Sequence, residues 1–168
     1  MTSSDPLQRA KRPRSILAGP YGHPFHPIAV TIPIGAWTAS ILFDLIGFFV
    51  DDPTPYTIGA QVLIAIGVVG ALMAAVLGFM DFSQIPTGMP AHRTALLHMT
   101  LNLAVTVLFA VNWFLRAGAD HDEVNVPGFI LSIVGLALLG ISGWLGGKLS
   151  YHYGVRVADE ETQRQGFV

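Results

Sequence analysis

The chain has no cysteine and little charge. Only 12% of its 168 residues are Asp, Glu, Lys or Arg, about half of the roughly 25% found in soluble domains. Without cysteine there are no disulfides, no thiolate zinc or iron–sulfur ligands, no cysteine nucleophile and no covalent c-type haem attachment. A formal net charge of −2 offers no basic footprint for nucleic acid. What the chain has in excess is apolar surface. Hydrophobic residues make up 52% of it and the mean hydropathy is +0.55, which excludes a disordered chain and argues against an ordinary soluble globule.

The apolar residues fall into four blocks, Ile28 to Val50, Ile58 to Phe79, Thr94 to Leu115 and Phe129 to Leu149, each close to the roughly 20 residues that cross a bilayer core. So small a chain could not cover four such helices in water. The expected fold is therefore all-α, an integral membrane four-helix bundle. Pro27, Pro90 and Pro127 stand where a helix can open without an amide donor. Short polar stretches, Asp51 to Pro55, Phe82 to Met89 and Gly118 to Val126, link the blocks. Residues 1–22 and 158–168 read as polar tails around a transmembrane domain at 23–157.

Positive charge is distributed unevenly. Arg9, Lys11, Arg12, Arg14, Arg93, Lys148, Arg156 and Arg164 belong to the side holding both termini, and only Arg116 to the other. By the positive-inside bias both termini are expected in the cytoplasm. The basic N-terminal stretch leads into Gly, Pro and His and then a full span, which is not the layout of a cleaved signal peptide. Small residues recur every four positions at Gly67, Ala71 and Ala75, at Gly70, Ala74 and Gly78, and at Gly143 and Gly147. Such spacing lets helices approach closely in lipid, either within the chain or at a homodimer seam. No solenoid-period repeat, inverted repeat or pair of broken helices is visible, which argues against a transporter. No Ser, His and Asp set with a nucleophile elbow suggests a hydrolase.

Ionisable groups inside spans are costly and are functional candidates for that reason. Five of the six histidines, His23, His26, His92, His98 and His152, fall at the inner boundary, and Asp81 joins them. His98, Asn102 and Thr106, four residues apart, share one helix face that should point into the bundle. In His23-Pro24-Phe25-His26-Pro27, each histidine precedes a proline. That placement favours extended geometry and puts both imidazoles in the entry to the first helix, with His26 at its cap. His152 sits among Trp144, Lys148, Tyr151 and Tyr153, which reads first as an interfacial anchor. His121, in an outer loop, receives no role. Asp44 reads either as a structural clasp with Asn112 near the outer end or as a proton-relay group.

Imidazole ligates haem iron, zinc, copper and non-haem iron. Two cofactor readings follow. In one, a single b-type haem is held by His98 with His26 or His152 and exchanges electrons with quinone or a redox protein. In the other, a metal ion is held by His23, His26, His98 and Asp81. The third reading is a non-catalytic membrane subunit or scaffold.

The stretch Gly22-His23-Pro24-Phe25-His26-Pro27 is followed by Pro33-Ile34-Gly35 and Asp44, then Gly78-Phe79-Met80-Asp81-Phe82 with Ile85-Pro86. Next come Ala91-His92-Arg93 with His98 and Asn102, Gly143-Trp144-Leu145-Gly146-Gly147-Lys148-Leu149, and Tyr151-His152-Tyr153-Gly154-Val155. Together these motifs, covering Gly22 to Val157, resemble a family of bacterial four-helix membrane domains of uncharacterised function. An acidic residue is common there at the position of Lys148. Relatives fused to Rieske-type or cytochrome c domains imply a link to electron transfer.

Overall fold

The computed structural model describes residues 5–168, and among them there is no β-strand. Four long helices dominate. The first runs His26–Gly47 as a short opening turn, α2 (His26–Ala29), continued by α3 (Thr31–Gly47). The others are α4 (Thr54–Phe82), α5 (Pro90–Ala117) and α6 (Val126–Gly147), the last prolonged by a π-helical turn, Lys148–His152. All four are long and apolar enough to cross a membrane. The first ends three residues before the Val50 expected from its apolar run, and the other three overrun their runs at both ends. Proline explains the starts. Pro27, Pro55, Pro90 and Pro127 occupy first or second helical positions, where no donor is lost. At α6 the Asn125 side chain also accepts the Gly128 amide, a conventional N-cap.

The helices alternate in direction, so both termini lie at one end of the bundle, here the near end. Around the bundle α3 packs on α4, α4 on α5, α5 on α6, and α6 returns less closely to α3. Large apolar side chains such as Leu42, Val62, Val76, Val107, Phe114 and Ile130 face outward. Small and polar groups, among them Ser40, Asp44, Asn112, Arg116, Ser132 and Ser142, are buried. That inversion suits a bundle solvated by lipid, where helices associate through close packing and hydrogen bonds.

The two helical hairpins, α3–α4 and α5–α6, are copies of one pattern. The same offset of 72 residues separates His26 from His98, Trp37 from Phe109 and Asp44 from Arg116. An offset of 68 separates Gly67 from Gly135, Ala74 from Ser142 and Gly78 from Gly146. The contacts repeat with it. Trp37 lies on Gly67 as Phe109 lies on Gly135, and His26 lies on Gly78 as His98 lies on Gly146. Members of each 72-residue pair also meet their own counterpart. The rings of Trp37 and Phe109 stack with centroids 4.1 Å apart and planes 5° from parallel. A residue that touches its own equivalent sits on the symmetry axis, so a pseudo-twofold runs down the bundle. This repeat, parallel rather than inverted, was not visible as sequence similarity because only a dozen or so axial and glycine positions carry it.

The near end is capped. The segment expected as a polar tail instead forms α1 (Pro6–Lys11) and a 3-10 turn (Ile16–Ala18), burying Ala10 and Ala18. Ala10 packs in one cluster with Ile85, Ala95, Leu149 and Val155. Arg156, in left-handed backbone geometry (φ 60°), ties this cap together. Its backbone amide donates to Ala10 O and its Nη2 donates to Ala18 O and Gly19 O. Lys11 Nζ donates to Val157 O and Ala158 O. A short helix, α7 (Glu160–Arg164), follows, capped by Asp159. The Thr162 backbone amide, bonded to that exposed cap, holds the Asp159 carboxyl below the usual carboxylate range.

Candidate functional site

Three paired layers line the axis. At the far end Asp44 and Arg116 form a two-pronged ion pair, with Nη1 to Oδ1 at 2.7 Å and Nη2 to Oδ2 at 2.6 Å. Their side chains are 0% and 3% exposed. The expected partner of Asp44, Asn112, is one step removed: its Oδ1 accepts from Arg116 Nε at 2.9 Å, and its Nδ2 donates to Ser132 Oγ at 2.8 Å. Charge counting puts Arg116 on the outer side without giving it a partner; it lies on the face of α5 that carries Phe109 and reaches the axis. A guanidinium fork matches a carboxylate in two places, which Asn could not do. The middle layer is the Trp37–Phe109 stack, flanked by Ile64 and Val105, both 0% exposed. It separates the far polar layer from the near one.

The near layer is the histidine pair. His26 and His98 face one another across the axis with ring centroids 6.3 Å apart and planes at 87°. Each ring is fixed by the helix beside it. His26 Nδ1 is 2.9 Å from Ala74 O, and His98 Nδ1 is 2.8 Å from Ser142 O. A carbonyl only accepts, so both Nδ1 atoms carry the proton and both Nε2 atoms keep a lone pair in the neutral rings. Gly78 and Gly146 make room for the rings. A Cβ added at Gly78 would stand 2.9 Å from His26 Cε1, and one at Gly146 would stand 3.2 Å from His98 Cε1.

His98 is held more elaborately than His26. Ser142 Oγ lies 3.0 Å from its Nδ1, and Asn102 Nδ2 lies 3.2 Å from its Nε2. Asn102 also donates to Ser142 Oγ (2.7 Å) and to His98 O (2.8 Å), while Thr106 Oγ1 donates to Asn102 O. The face of His98, Asn102 and Thr106 therefore points inward as the spacing predicts. His26 Nε2 has no hydrogen-bond partner among the described residues.

The other candidate residues lie elsewhere. His26 belongs to the first helical turn rather than to an extended entry, because Phe25 already has helical dihedrals. His23 stays in the preceding turn, exposed, and does not join the pair. Asp81 points at the cap, where Arg156 Nε lies 2.8 Å from its Oδ1. His152 is exposed in the π-helical turn with its ring against Tyr153. His92 packs against Phe82. Among the described residues no three His, Asp or Glu side chains come together as a ligand set. His121, given no role by its sequence, bonds Gln61 Oε1 through Nε2 (2.8 Å), and its carbonyl accepts from Thr57 Oγ1 (2.7 Å), fastening the far loop to α4. Ser142 is a part of the site that no motif includes, and Gly78 and Gly146 stand in motifs that do not connect them to the histidines. Their signal was the 68-residue offset between α4 and α6.

The fold and its inverted polarity define a multi-pass membrane protein built from two helical hairpins around one axial histidine pair. Residues 22–159 match the family model described as predicted membrane protein (DUF2231), and the chain belongs to that family. No curated protein and no solved structure matches it.

Proposed function

We propose that this protein is an electron-transfer subunit of the bacterial inner membrane, in which His26 and His98 would hold one b-type haem. The observation that carries this reading is the pair itself: two imidazoles, one from each hairpin, each with Nδ1 spent on a backbone carbonyl. That arrangement fixes ring orientation, raises ligand basicity and leaves the Nε2 lone pair of His26 open to a metal, while that of His98 faces the Asn102 amide, which would have to turn aside. With a metal–imidazole bond of about 2 Å, two rings on one metal have centroids roughly 6 Å apart, close to the 6.3 Å here. Two protein ligands suffice for a metal that brings its own macrocycle. A bare zinc or iron ion needs three or four, and Asp81 is engaged by Arg156 while His23 is exposed. The haem reading is therefore favoured over the four-ligand metal site, and over His152 as second ligand.

A haem held there would supply one-electron chemistry between ferric and ferrous iron. The chain's residues do the rest. Ser142 and Asn102 hold His98, Ala74 O holds His26, and the Trp37–Phe109 layer seals the pair from the far side. The near end faces the cytoplasm in this reading, supported by the eight-to-one distribution of Lys and Arg, and the electron partner there is a quinone or a redox protein. Only one such site is proposed, because the equivalent axial positions at the far end are Asp44 and Arg116. The test is the absorption spectrum of detergent-purified protein after haem titration. A Soret band at one haem per chain, lost in both His26→Ala and His98→Ala, is expected. Folded protein that takes up no haem overturns the proposal and leaves a scaffold of satisfied polar contacts.

A further inference from the structure

The histidine pair uses one face of α6. The opposite face of the same helix is bare. Gly140 and Gly143 have no atom within 4 Å of an added Cβ, and Gly147 meets only its own Tyr151. These glycines do not serve packing within the chain, unlike Gly67, Gly70 and Gly78, which touch Trp37, Ile32 and His26. The hollow over Gly143 and Gly147, about 670 Å³, is walled by Trp144, Lys148, Tyr151 and His152. The π-helical turn helps make it. Tyr153 N bonds Lys148 O, five residues back. Such turns add a residue to one helical turn, and they are frequent at functional positions.

Its charge is unbalanced. Lys148 has no carboxylate partner among the described residues, and its Nζ is held over the Tyr153 ring at 5.5 Å. Trp144 and Tyr151 are 79% and 93% exposed, and aromatic side chains of this kind settle at the membrane–water boundary. A groove with a glycine floor, aromatic walls and one ammonium without a carboxylate partner at the boundary is complementary to a lipid whose phosphate meets the ammonium and whose acyl chain lies along the glycines.

We propose that this groove binds an anionic phospholipid, with Lys148 and His152 facing the headgroup phosphate and Gly143 and Gly140 receiving an acyl chain. A zwitterionic lipid carries its own cation beside the phosphate and gains less from Lys148. The site is independent of any haem, since it lies on the other side of α6 from His98.

The test is native mass spectrometry of the full chain in detergent, titrated with phosphatidylglycerol or phosphatidylcholine. One phosphatidylglycerol should bind ahead of phosphatidylcholine. Lys148→Gln should weaken it about fivefold, the order expected for one Lys at a lipid surface. Gly143→Leu, whose Cβ has open space around it and whose side chain occupies the groove, should abolish the site and with it the preference. Arg93→Gln, which removes an exposed cation outside the groove, should not change it. Equal binding of the two lipids overturns the proposal, as does equal weakening in all three variants. A lipid-free dimer that Gly143→Leu dissociates overturns it too, and assigns the groove to a second copy.

Discussion

Exchanging the charges of Asp44 and Arg116 tests the axial architecture sharply. Either residue alone is indispensable to the other. In Arg116→Leu the Asp44 carboxylate, 0% exposed, loses both of its donors at 2.6 and 2.7 Å. In Asp44→Leu a buried guanidinium loses its counter-charge. Removing one partner of such a pair costs about 3–5 kcal/mol, so two independent losses would add to roughly twice that. The pseudo-twofold makes the two positions interchangeable, and Asp44→Arg with Arg116→Asp should rebuild the pair in mirror order. What the exchange cannot rebuild is the bond from Arg116 Nε to Asn112 Oδ1, because the residue in the equivalent position on α3 is Ser40. A hydrogen bond to a charged group contributes about 1.5–3 kcal/mol. The double exchange should therefore cost about 2 kcal/mol, less than either single change. The assay is reversible unfolding in mixed micelles of increasing dodecyl sulfate content, followed by tryptophan fluorescence. An exchanged protein as unstable as the sum of the single variants would refute the symmetry argument.

The remaining layers give further expectations. Trp37→Ala removes the stacked partner of Phe109 and opens the seal between the polar layers. It should cost about 3–5 kcal/mol in the same unfolding assay, whereas the outward-facing Trp144→Ala should change stability by less than about 0.5 kcal/mol. Gly78→Leu and Gly146→Leu push side chains into the His26 and His98 rings. Each should displace its imidazole and lower haem uptake, while Gly140→Leu, over open space, should not. Ser142→Ala leaves the carbonyl anchor of His98 but removes the hydroxyl shared with Asn102; haem should still bind, with a shifted reduction potential in a redox titration. Arg156→Ala removes the link between Asp81 and the backbone of residues 18 and 19, and should speed limited proteolysis within residues 5–25 with the four spans intact.

Much of this molecule can be read from its sequence, for physical reasons. Apolar runs of membrane length specify the four helices, and prolines mark their starts. The inward face of His98, Asn102 and Thr106 follows from helical spacing alone. The pairing of His26 with His98 was among the alternatives, because both lie at the same depth. Other features depend on partners that spacing along one helix does not report. Asp44 selected Arg116 over Asn112 because the axial faces of α3 and α5 meet there, and Asp81 turned to Arg156 because the terminal segments fold into a cap. The small residues look alike in sequence, yet those of α4 receive side chains of α3 while Gly140 and Gly143 of α6 face outward. Only the relation between the hairpins distinguishes them.

The most direct measurement of the central claim is low-temperature electron paramagnetic resonance of the oxidised, haem-titrated protein. Two imidazoles on one ferric iron with ring planes near the 87° found here predict a single low-spin signal of strong axial anisotropy, absent from both His26→Ala and His98→Ala. A high-spin signal alone, or a low-spin signal that survives either substitution, would contradict an iron shared by the two hairpins.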